Sequence, residues 1–162
     1  MQHDRYDDAY ISEILSQARS IAMIGASANI SRPSYFALKY LVGKGYTVHP
    51  INPGLAGKEI AGQRVYASLA DVPGPVDMVD IFRNSEAALA VTRDAIALKD
   101  QLGVKIIWMQ LSVRNDVAAA EAEANVLSDI MAAQWAAMVD DGSRQLEAGK
   151  GGGERVLSQE EI

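Results

Sequence analysis

Cysteine is absent from this 162-residue chain. That absence removes disulfides, thiolate nucleophiles and thiolate metal sites together. Histidine is scarce as well: His3 and His49 are the only two. Neither has an acidic partner in view or a metal-ligand spacing, so core or surface roles are expected for both, with no metal site and no catalytic residue. There is no basic excess. The formal net charge is −6, and nine acids against four bases fall in residues 1–8 and 140–162, which leaves −1 for the middle. A nearly neutral body with acidic ends offers no basic stripe, so nucleic acid is not expected as a partner. No apolar run approaches membrane length and no targeting leader is visible, so a cytoplasmic protein without membrane contact is expected. The length suits one α/β domain with its own core.

What the chain does contain is organised around residues 20–35, SIAMIGASANISRPSY. Ser20-Ile21-Ala22-Met23-Ile24 reads as a buried strand that stops on Gly25. Ala26, Ser27, Ala28, Asn29 and Ser31 form a small polar loop, and Pro33 suits the first turn of a helix. Strand, glycine turn and helix start leave backbone N–H groups pointing at one spot, where the positive helix end favours a phosphate. The three-glycine dinucleotide fingerprint is not met, because Ser27 and Ala28 stand where further glycines would be wanted. By itself the loop fits a phosphate site and a plain βα turn equally.

Upstream, residues 6–18 place Tyr10, Ile11, Ile14, Leu15 and Ala18 at helical spacing, which predicts an amphipathic helix packed as a lid on the core in preference to a partner-binding helix. Downstream, a helix over residues 34–44 closes on Gly45, and residues 46–51 form a second strand. A parallel βαβ unit binds beyond the carboxyl ends of its strands. There this chain reads Asn52-Pro53, where a dinucleotide enzyme would usually carry an Asp or Glu for the ribose hydroxyls. The missing acid argues against NAD and for another phosphate-bearing ligand, although a cofactor phosphate held by Arg or Lys would not need that acid.

Residues 54–62 are read as a glycine-rich loop in which Lys58 either faces the phosphate site or stands exposed without a role. Residues 64–66 could pair briefly as a strand, Ser68 could cap one helical turn through Asp71, and Pro73-Gly74-Pro75 breaks the chain. Residues 76–82 are a central strand, and Asn84 or Ser85 caps a long helix through Leu102. Arg83 could hold a phosphate by a forked hydrogen-bond pair or form a surface ion pair with Glu86. Asp77 and Asp80 could be mistaken for a catalytic carboxylate pair. They lie three apart on a strand and face opposite sides, so strand-edge or cap roles are expected. Gly103 closes the helix, residues 104–109 form another buried strand ending at Gln110, and Asn115 caps a helix over residues 116–124. Strands alternating with helices imply an α/β fold with a doubly wound, mostly parallel sheet flanked by helices on both faces.

Four blocks, GASANISRPSY, VHPINPGLAGKEIAGQRVYASLADVP, VDMVDIFR and GVKIIWMQLSVRND, resemble in order and spacing the small stand-alone CoA-binding domain family, over residues 11–123. The resemblance implies a Rossmann-like fold similar to the nucleotide-binding domain of the succinyl-CoA synthetase α subunit. It implies coenzyme A or an acyl-CoA as the ligand, its ADP moiety over residues 25–32, with Gly25, Ser27 and Arg32 near phosphate. It further implies that Asn52, Pro53 and Lys58 flank the nucleotide, and that Phe82, Arg83, Met109 and Gln110 line the far side of the crevice. A cluster of Arg32, Lys58 and Arg83 suits a ligand with a 3′-phosphate as well as a diphosphate. Where the family ends in a further strand and an Asp/Asn-Arg-Cys-Pro segment, this chain reads NVLSDIM and then AAQWAAMVDDGSRQ. Residues 127–139 are expected to be a helix, with a last strand over 126–131 as the alternative. One domain over residues 1–139 is expected, followed by a disordered tail at 140–162, or an arm packed on a neighbouring subunit.

No nucleophile is paired with a base. The leading expectation is non-catalytic binding of coenzyme A or an acyl-CoA, as a sensor, carrier or accessory module. An NAD(P)-binding oxidoreductase of similar fold, and a structural protein with a degenerate crevice, are the alternatives. A homo-oligomer or a protein partner is left open.

Overall fold

The computed structural model describes residues 7–110 and 113–125. The chain opens with helix α1 (Asp8–Gln17), capped where the Asp7 carboxylate accepts the Tyr10 amide at 2.7 Å. Strand β1 (Ser20–Ile24) follows, then α2 (Pro33–Gly43) and β2 (Thr47–Ile51). Pro33 opens α2, and Gly45, at φ +93°, turns the chain out of it. A 3-10 turn over Pro53–Leu55 leads into a hairpin of β3 (Glu59–Ile60) and β4 (Gln63–Arg64). A second 3-10 turn, Leu69–Asp71, carries the expected capping box of Ser68 and Asp71. Then come β5 (Met78–Ile81), α3 (Ser85–Ala97), α4 (Lys99–Leu102), β6 (Ile106–Met109) and α5 (Asp116–Asn125).

β2, β1, β5 and β6 form a parallel sheet in that order, and the β3–β4 hairpin lies beside β2, where Tyr66 bridges to Ile51. Strand alternation divides the core. Ile21, Met23, Val48, Met78, Ile106 and Trp108 pack under α1 and α2, while Ala22, Val79, Ile81, Ile107 and Met109 pack under α3 and α5. The fold is the α/β, Rossmann-like arrangement expected from the sequence, with helices on both faces. On the second face the helices present alanines, Ala88 and Ala95 of α3 and Ala118, Ala119 and Ala122 of α5, which lets them lie close to the sheet. The forked pair Arg93–Glu121 joins those helices at 2.6 and 2.8 Å, but both groups are solvated and the pair adds little stability.

Three local readings need correction. Residues 54–62 are not simply a loop, since Glu59–Ile60 pairs with Gln63–Arg64. The helix expected through Leu102 is interrupted at Leu98, and Gly103 ends its second piece at φ +80°. Asp77 sits at the sheet's lower edge as expected, accepting the amides of Arg19 and Ser20 at 2.8 and 3.1 Å, with Lys105 at 3.6 Å. Asp80 does not. It lies inside the central strand at 2% exposure, neither edge nor cap. The readings for residues 126–131, 127–139 and 140–162, and for His3, fall outside the described residues.

Candidate functional site

The register sets Ile24 opposite Ile51 and Ile81, and Ile81 opposite Met109. The first residues beyond the four parallel strands are therefore Asn52, Gly25, Phe82 and Gln110, standing in one row across the sheet. All four are residues expected at the site. The strand order reverses between β1 and β5: the chain leaving β1 turns to α2 on one face, and the chain leaving β5 turns to α3 on the other. In this architecture the usual ligand position lies beyond the strand ends at such a reversal.

Gly25 makes that junction. Its φ is +84°, and a Cβ there would stand 2.5 Å from the Phe82 carbonyl oxygen and 3.1 Å from Arg83 Cδ. The missing side chain lets the two loops touch and sets Arg83 beside the β1–α2 turn. The Gly25 and Ala26 amides both donate to the Ile51 carbonyl at 3.2 Å, so Gly25 contributes room and not a donor.

The donors lie farther along. Asn29 braces the loop: its amide donates to Ser27 Oγ at 3.1 Å, its Oδ1 accepts the Ser31 amide at 2.9 Å and its carbonyl accepts the Arg32 amide at 3.0 Å. Among the described residues no acceptor meets the amides of Ser27, Ala28 and Ile30. The start of α2 has no side-chain cap from Arg32 and no acid in its first turn, although Pro33 carries no N–H and the Tyr35 amide donates to the Arg32 carbonyl at 3.0 Å. By contrast α1, α3 and α5 begin under the side chains of Asp7, Asn84 and Asn115. An uncapped helix start beside three free amides concentrates partial positive charge in water, and an anion satisfies it.

Asn52, where a dinucleotide enzyme would carry its ribose acid, is engaged in holding the loop. Its Nδ2 donates to the Ala26 carbonyl at 2.9 Å and its Oδ1 accepts the Gly54 amide at 2.9 Å. Pro53 opens the 3-10 turn that follows. The structure thus brings together Gly25, Asn52, Phe82 and Arg83. Arg32 stands at the start of α2 and Lys58 on the hairpin beside β2, both exposed. Among the described residues Arg32, Lys58 and Arg83 have no ion-pair partner, and the alternative pairing of Arg83 with Glu86 does not form. Most other cations among the described residues are engaged: Arg93, Lys105 and Arg114 with carboxylates, and Lys39, Lys44 and Arg64 over tyrosine rings.

At the far end of the row, Gln110 Nε2 donates to Asp80 Oδ1 at 2.7 Å, with both residues buried. Burial pushes the Asp80 carboxyl up to about 7, opposed only by that hydrogen bond. The sequence reading gave this acid a strand-edge or cap role; the signal for its burial was a carboxylate interrupting the apolar run VDMVDIF. His49 packs edge-on to Tyr66, 5.8 Å between ring centres, and burial lowers its pKa, which fits the packing role expected for it. Among the described residues no group of His, Asp and Glu is arranged to hold a metal, and no helix is long and apolar enough to cross a membrane.

Free amides and unpaired cations at the switch point of an α/β sheet fit an anionic ligand, and comparison with known proteins gives the family. The chain belongs to the CoA binding domain family, whose profile matches residues 19–137. It is 31% identical over 110 residues to the protein YneT of Bacillus subtilis, covering 68% of this chain and 77% of that one. A solved hypothetical protein from Pyrococcus horikoshii superposes with a TM-score of 0.71 at 31% identity, covering 82% of this chain and 92% of that one. The α subunit of an ADP-forming acetate–CoA ligase from Pyrococcus furiosus is 32% identical over 99 residues, 59% of this chain, and the match spans only 21% of the ligase subunit.

Proposed function

We propose that this protein binds coenzyme A, or an acyl-CoA, through its ADP moiety and holds it without consuming it, as a sensor, carrier or accessory module. The diphosphate lies on the amides of Ser27, Ala28 and Ile30 and the uncapped start of α2, with Arg32 and Arg83 beside it. Lys58 reaches over from the hairpin, Asn52 and Pro53 flank the nucleotide, and Phe82 and Gln110 line the side towards the thiol arm. The observation that carries this reading is the combination of acceptor-free amides with cations that lack ion partners at one edge of a family-defined fold. The name of the matching acetate–CoA ligase subunit points to the same ligand. A nicotinamide dinucleotide is disfavoured because Asn52 replaces the ribose acid and is bonded to Ala26 and Gly54.

Calorimetric titration of the full chain with CoA, dephospho-CoA and NADP tests this. CoA is expected to bind most tightly, dephospho-CoA less so and NADP least, with CoA recovered unchanged. Removing the Arg83 guanidinium by Arg83→Ala should weaken CoA about tenfold or more, the scale of one charge-assisted hydrogen bond. Preference for NADP, or no heat with any of the three, overturns the proposal.

A further inference from the structure

Among the described residues Asp80 is the one ionisable side chain buried in the sheet. It stands one residue before the sheet's binding edge, between Met23 of β1 and Trp108 of β6 in register. Its hydrogen-bond partner, Gln110, is the first residue beyond β6 and is held at both ends of its own backbone. Its amide donates to the Ile81 carbonyl at 3.4 Å and its carbonyl accepts the Val113 amide at 2.9 Å. One short bond of 2.7 Å therefore links a carboxyl in the interior to a carboxamide at the rim of the crevice. Among the described residues no cation pairs with the acid. The strands on either side present Ile21, Met23, Ile106 and Trp108 on that face, and the helices over it present Ile11, Ile14, Ala37, Leu38 and Leu41. The titratable members of that hydrophobic cluster among the described residues are the phenols of Tyr10, Tyr35, Tyr40 and Tyr46. Phenols keep their charge state through the neutral range. An acid with this surrounding is expensive to ionise, and an anionic ligand brought to the rim makes it more so.

Building on the CoA reading above, we infer that Asp80 is a positioning residue of the crevice that binds a proton from solvent when the anionic ligand arrives, keeping the Gln110 carboxamide fixed at the rim without a buried charge beneath it. The neutral acid still accepts the Gln110 N–H, so the rim geometry is kept while repulsion towards the diphosphate disappears. Ligand affinity is then linked to pH through a residue that does not itself touch the ligand. The shift in the free protein puts this titration close to neutral pH.

The test uses dephospho-CoA, which lacks the 3′-phosphate monoester that itself titrates near neutrality. Calorimetry of the full chain at pH 7 in HEPES and in Tris, whose ionisation heats differ and neither of which is a phosphate, should reveal uptake of about half a proton per ligand. Binding should weaken about tenfold from pH 6 to pH 8.5. Asp80→Asn should abolish the uptake and bind equally at both pH values. Should that variant not fold, the two-buffer comparison on the unaltered chain still decides. Binding without proton uptake, or an Asp80→Asn protein that keeps the original pH profile, overturns the inference and leaves the CoA reading intact. Absence of binding to CoA and dephospho-CoA alike removes both.

Discussion

Asp80→Asn is expected to raise the stability of the ligand-free protein by about 4 kcal/mol at pH 8 and to leave it unchanged near pH 4. The sign follows from where the proton sits. The folded protein keeps the Asp80 proton up to about pH 7, whereas the unfolded chain releases it near the ordinary value of 3.8. Between those values the folded state binds more protons, so each rise in pH favours unfolding, and above 7 the cost is fixed. Asparagine has the same shape, can accept the Gln110 N–H and never ionises. Asp77 works in the opposite sense. Burial acts to raise its pKa and is outweighed by the amides of Arg19 and Ser20 and by Lys105. It contributes stability that is present above its ordinary pKa and lost in acid. Urea unfolding of both proteins at pH 4, 6 and 8 measures the difference. A gap that does not widen with pH would mean the carboxyl is not neutral in the folded state.

Gly25→Ala should cost about 2–5 kcal/mol in stability and more than tenfold in CoA affinity. Two penalties combine at this residue. A φ of +84° disfavours any side chain, and the new Cβ would press on the Phe82 carbonyl at 2.5 Å, a backbone atom that cannot swing aside. Either the β5–α3 loop retreats, carrying Arg83 with it, or the β1–α2 loop does, pulling Ala26 from Asn52. Gly57→Ala is the control, because Gly57 has a similar φ of +81° but nothing within 4 Å of the added atom. It should show the conformational penalty alone, roughly 1 kcal/mol, with CoA binding unchanged. Equal costs at the two positions would show that the close approach of the loops carries no energy.

Much of this architecture is legible in the sequence because its signals are local. The apolar run at residues 20–24, the proline that opens α2, and the capping residues Ser68, Asn84 and Asn115 each fix structure within a few residues of themselves. The β3–β4 hairpin was not legible, since two-residue strands are too short to show a period. Asp80 shows a different failure. Alternation along a strand says which face a side chain takes, but in a sheet covered on both sides either face is interior, so an acid there is buried whichever way it points. The alignment of Asn52, Gly25, Phe82 and Gln110 at the strand ends was legible, because each follows an apolar run whose end can be read locally. Gly25, expected near phosphate, has its amide bonded to Ile51 and keeps the two loops in contact, while the acceptor-free amides fall on Ser27, which was expected near phosphate, and on Ala28 and Ile30, which were not.

The account rests on those three amides receiving the diphosphate, and a CoA titration followed by amide nitrogen and proton NMR shifts observes them one by one. Ser27, Ala28 and Ile30 should show the largest downfield movements, with Gly25 and Ala26, already bonded to Ile51, moving less. Shifts gathered instead around the cavity of about 260 Å³ between Leu15, Arg19, Tyr40, Lys44 and Tyr46, at the opposite end of the sheet, would contradict it.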